Sequence, residues 1–122
     1  SRDDGRGSGE GASLVLVDPD DGRRWTLRPA DLQLRHFSVG RSSRAALVLD
    51  GRRHVTVSGI HGWIRWNPDF DRGHGGFEFV DESSLGSSVN EFYFRHSSFQ
   101  LRSGDSLWLG GSETGKELRV AA

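Results

Sequence analysis

Cysteine and methionine are absent from these 122 residues, and proline and tyrosine are scarce, with three and one. Without cysteine there is no disulfide framework and no thiolate metal site, so an apolar core has to hold the fold. No apolar run approaches the length that crosses a bilayer, and no membrane partner is expected. Charge of one sign is lacking too: 16 Lys and Arg offset 17 Asp and Glu, leaving a net charge of -1. Such a chain has no global attraction to nucleic acid or anionic lipid, and any preference for an anion has to come from a local cluster. The five histidines (His36, His54, His61, His74, His96) are scattered without metal-ligand spacing, so neither a metal site nor a cofactor is expected. The chain begins at Ser1 and reads as one domain of a longer protein. The missing cysteine fits an intracellular setting, nuclear or cytoplasmic.

Glycine, by contrast, is plentiful at 17 residues. Residues 1–12 (SRDDGRGSGEGA) are charged, glycine-rich and aperiodic, which reads as a flexible lead-in to a folded domain over 13–122. Short apolar or alternating runs follow: 14–17, 25–27, 36–39, 46–49, 60–66, 77–80, 88–94, 99–101, 106–109 and 117–121. Glycine, proline, aspartate and asparagine fall between them, at 18–22, 50–51, 67–69, 73–76, 103–105 and 110–111. Nothing sustains helical spacing for three turns, and residues 29–34 allow a single helical turn. Many short strands with polar turns predict an all-β fold, a β-sandwich of two antiparallel sheets. Phe77 and Phe79 alternate with Glu78 and Val80, as on a strand with one buried and one wet face.

An enzyme is not expected. No Gly-x-Ser-x-Gly elbow follows a strand, Asp105 belongs to a turn and Asp81 to a strand end. A nucleic-acid face is not expected either: Trp63 and Arg65 share one strand face, and read as a packed aromatic beside a solvated arginine or as a partner-protein contact.

Four segments in order carry more information. They are Gly40-Arg41 after Phe37-Ser-Val; Ser58-Gly-Ile-His61; the loop Asp81-Glu-Ser83-Ser84-Leu85-Gly86-Ser87-Ser88-Val89-Asn90; and Leu101-Arg-Ser-Gly104-Asp105-Ser-Leu107-Trp-Leu109-Gly110. Together they resemble the signature of forkhead-associated (FHA) domains, most informatively over 37–110. The resemblance implies an FHA/SMAD-like sandwich with ligand loops gathered at one end, monomeric as an isolated domain. It implies a signalling role: phosphothreonine-dependent recruitment of a phosphorylated partner protein, with no nucleic acid, membrane or cofactor involved.

A phosphothreonine carries roughly -1.5 to -2 charges and several acceptor oxygens. Arginine suits it, because a planar guanidinium donates in parallel and stays charged. The resemblance gives that role to Arg41, and gives Ser58 a hydroxyl and backbone N–H on the same phosphate. It places Ser84 where the family has threonine, and makes Thr56 a weaker contact for residues after the phosphothreonine. Arg53, with Arg52 and His54, stands just before Ser58 as added positive potential. Gly40, His61 and Gly86 are expected to support the loops; His61 braces the loop of Ser58 and does not serve as its base. Two positions depart from the family pattern. Leu85 stands where an asparagine clamps the peptide backbone, and Gly59 where a polar residue reaches the phosphate. They motivate an alternative, an FHA fold that binds a partner independently of phosphorylation.

Overall fold

The computed structural model describes residues 11–34 and 36–121. Residues 1–10, most of the expected lead-in, lie outside the described residues. In chain order the elements are β1 (Leu14–Val17), β2 (Arg24–Leu27), α1 (Pro29–Leu34), β3 (Phe37–Gly40), β4 (Leu47–Val48), β5 (Gly62–Asn67) and α2 (Phe70–Gly73). Then follow β6 (Gly76–Asp81), β7 (Ser87–Val89), β8 (Phe92–Phe94), β9 (Ser98–Leu101), β10 (Ser106–Leu109) and β11 (Lys116–Val120).

The strands form a sandwich. One sheet has six strands in the order β2-β1-β11-β10-β7-β8, and the other has five in the order β4-β3-β5-β6-β9. Strand alternation sends Leu14, Leu16, Leu107, Leu109, Leu118 and Val89 inward from the first sheet. They meet Val39, Ile64, Phe77, Phe79 and Leu101 of the second in one core cluster. Burying each such side chain stabilises by roughly 2 kcal/mol, against the entropy of ordering the chain. β1 pairs with β11, Leu16 opposite Val120, so strands far apart in sequence are neighbours inside the six-stranded sheet.

Several expectations need correction. The sheets are not wholly antiparallel: β4 runs parallel to β3, with Val39 opposite Leu47. The run 88–94 is not one strand but a hairpin, broken at Asn90 and Glu91, which have φ of 49° and 76°. The expected turn at 73–76 begins earlier, in the short coil of α2, and Gly76 already belongs to β6. α1 runs for six residues, longer than one turn, because Pro29 and Leu32 bury against the sheet. Glu78 does not face water: it is 1% exposed, held by Arg65 at 3.2 Å and Asn67 at 3.2 Å.

Candidate functional site

β3, β6 and β10 end where β5, β7 and β11 begin, so four loops crowd one end of the sandwich. Gly40 closes β3 with no room for a side chain: a Cβ there would lie 2.0 Å from the Gly59 carbonyl oxygen. This close approach lets the two loops strap together. The Arg41 N–H donates to Ser58 O at 3.1 Å and the Ser42 N–H to Gly59 O at 2.9 Å. The Arg41 side chain is exposed and lies along the 50–58 loop, its Nε donating to Val57 O and its Nη1 to Gly51 O at 3.4 Å. Nη2 has no partner among the described residues.

Ser58 is held from two sides. Its N–H donates to His61 Nδ1 at 3.0 Å, and its Oγ accepts the Ser84 N–H at 3.1 Å. The hydroxyl hydrogen finds no acceptor among the described residues. His61 is fully buried. Because Nδ1 accepts from Ser58, the ring proton sits on Nε2, which donates to Gly86 O at 2.8 Å with Ser87 Oγ at 3.1 Å. Burial holds the imidazole below its ordinary 6.5, against the upward pull of Gly86 and the Asp81 carboxylate. The lone pair that a base would use on the Ser58 hydroxyl is committed to the Ser58 backbone. This ring joins two loops.

The third loop, 82–86, is organised by a carboxylate. Asp81, 1% exposed, accepts from Ser83 Oγ at 2.7 Å, Ser87 Oγ at 2.7 Å, Ser83 N at 3.1 Å and His96 N at 2.9 Å. Burial pulls its pKa upward, but the bonds from Ser87, His96 and Ser83 outweigh that and hold it below the ordinary 3.8. Ser83 Oγ in turn accepts the Gly86 N–H at 2.7 Å, and His96 Nε2 donates to Ser83 O at 2.9 Å. Gly86 has a φ of +93°, with the Tyr93 ring where a side chain would be: a Cβ would lie 2.4 Å from Cε1. Tyr93 OH donates to Leu85 O at 3.0 Å.

Arg41, Ser58, Gly59 and Ser84 are thus brought together, with Gly40, His61 and Gly86 at the joints between their loops. Leu85 follows Ser84 on the rim, half-exposed at 51%. Two other sequence-derived candidates are placed elsewhere. The Thr56 hydroxyl accepts from Gly111 N at 2.9 Å and from Thr114 Oγ1 at 3.0 Å, tying the fourth loop down. Arg53 lines a neighbouring cleft with Asp18, Asp20, Asp50 and Lys116, and its charge helps hold the Asp20 carboxyl down after the larger effect of Lys116. Sequence reasoning missed Asp81, Ser83, Ser87, His96 and Tyr93 as loop supports. An Asp and a Ser two residues apart at a strand end was the available signal.

The FHA domain model matches residues 37–110. No curated protein matches the chain. Among solved structures, it resembles an FHA domain from a structural and functional analysis of phosphothreonine-dependent FHA domain interactions, at TM-score 0.67 and 26% identity over 91% of this chain and 97% of that one. The FhaA FHA domain, solved in complex with the intracellular domain of Rv3910, gives TM-score 0.64 and 25% identity over 89% of this chain and 99% of that one. The N-terminal FHA domain of S. cerevisiae Rad53p, solved with a phosphothreonine peptide, shares the fold at TM-score 0.70 and 17% identity, over 89% of this chain and 92% of that one.

Proposed function

Because the chain belongs to the FHA domain family, we propose that it is a phosphothreonine-dependent interaction module, which recruits a phosphorylated partner and catalyses nothing itself. The observation that carries this reading is the convergence of an exposed guanidinium, a serine hydroxyl and the Ser84 loop, each strapped to the next. Arg41 supplies the fixed positive charge and the free Nη2 edge. Ser58 keeps a hydroxyl hydrogen to donate while its oxygen accepts the Ser84 N–H. Ser84, an exposed residue, adds a second hydroxyl, and Gly59 offers only backbone. Such preorganised donors hold an anion at little entropic cost.

Charge-assisted hydrogen bonds contribute roughly 1.5–3 kcal/mol each. Two or three, with a few peptide contacts added and the cost of ordering the peptide taken off, correspond to a dissociation constant on the order of tens to hundreds of micromolar. The ligand is a product of a protein kinase, which sets the domain in the cytoplasm or nucleus. Calorimetry with matched peptides, selected from a phosphothreonine library and resynthesised without phosphate, tests the reading. Binding is expected for the phosphorylated form alone. Equal affinity for both would favour phosphorylation-independent docking instead.

A further inference from the structure

We propose that Leu85 and Tyr93 form an apolar shelf beside the phosphate loops, which selects ligands carrying an apolar side chain next to the phosphothreonine. This rests on the reading above and adds a specificity to it. Leu85 is 51% exposed and takes no part in the core cluster, so the fold does not require a leucine there. Its backbone is nevertheless fixed. Ser83 Oγ accepts the Gly86 N–H at 2.7 Å on one side, and Tyr93 OH donates to Leu85 O at 3.0 Å on the other.

Tyr93 is 63% exposed and lies against the bare Cα of Gly86. Because its hydroxyl is turned back onto Leu85 O, the ring offers solvent its carbon surface. The leucine side chain and the ring thus flank the buried Gly86 as an apolar strip, on a stretch of backbone pinned by those two bonds. The strip adjoins Ser84, whose N–H is on Ser58 Oγ at 3.1 Å, so a chain with its phosphate on Arg41 and Ser58 runs directly past it. A leucine side chain has neither donor nor acceptor and gives the backbone of a bound segment nothing. What it gives is a dry contact, which rewards an apolar neighbour and disfavours a charged one.

The test uses phosphothreonine peptides in which each flanking position in turn carries leucine, glutamine or aspartate, titrated into the wild type and Leu85→Ser. At one flanking position leucine is expected to bind about tenfold more tightly than aspartate, a difference of about 1.4 kcal/mol. In Leu85→Ser that preference should vanish while phosphate dependence remains. Leu85 being exposed, an unchanged thermal midpoint confirms that the variant is folded. Phosphate-dependent binding with no apolar preference, or with one that survives Leu85→Ser, overturns the shelf and leaves the phosphothreonine reading standing. Binding that ignores the phosphate in every peptide overturns both.

Discussion

Arg41 uses part of its guanidinium on its own chain, through Nε on Val57 O and Nη1 on Gly51 O. Those bonds aim the group and leave its Nη2 edge for the proposed phosphate. Arg41→Ala should therefore weaken phosphopeptide binding by at least about tenfold, measured by fluorescence anisotropy. Arg41→Lys keeps the charge but loses the fork, and should fall between the two. Unchanged binding in the alanine variant would reject the assignment. His61 predicts a pH dependence of stability. With burial holding the folded imidazole below 6.5, the unfolded chain takes up the proton first as pH falls. The contribution is complete above 6.5 and is lost as pH drops from there toward the lower folded value. Asp81, depressed below 3.8, adds its loss only in a separate, more acidic window. Urea midpoints between about pH 7.5 and pH 5 should fall more steeply for the wild type than for His61→Gln. Parallel profiles would contradict the buried neutral ring.

The β7–β8 hairpin turns on Asn90 and Glu91 alone, both at positive φ, a geometry that suits asparagine and glycine but strains glutamate. Glu91→Gly should stabilise the domain by about 0.5–1 kcal/mol in denaturant melts; a loss would mean that the Glu91 side chain supports the turn. The same pair explains why the hairpin was hidden: Asn-Glu lacks the glycine that signals a two-residue turn. Strands with clean alternation, such as β1 and β10, were legible because one sheet face is buried. β4 was legible as a run but not as a parallel partner, since two residues of strand carry no directional pattern. Glu78 misled because its partners Arg65 and Asn67 lie on another strand. That Arg41, Ser58 and the 83–86 loop come together was legible through the FHA resemblance that their order carries. The Asp81 hub was not, because Ser87 and His96 reach it from beyond the loop. The bonds that the Thr56 hydroxyl accepts were hidden for the same reason: Gly111 and Thr114 are distant in sequence.

At the scale of the whole molecule, the candidate site belongs to both sheets. Arg41 and Ser58 flank strands of the five-stranded sheet, while the Ser84 loop crosses from it to the six-stranded one. Toward the loop end the interior turns polar, through His61, Asp81, Ser83 and Ser87, all buried and bonded to one another. On the same end Lys116, 4% exposed, binds Asp18 and Asp20 at 2.6 Å each and ties the start of β11 to the β1–β2 turn. Rigid sheets and a cross-linked polar cap hold the donors in place before any ligand arrives, which is what weak individual bonds require in order to sum. The direct measurement is a ¹⁵N NMR titration of the wild type with a phosphothreonine peptide, following backbone amides and arginine Nε–H signals. The largest shifts are expected at Ser58, Gly59, Ser84 and the Arg41 side chain. Shifts gathered on another face, with these signals unmoved, would contradict the account.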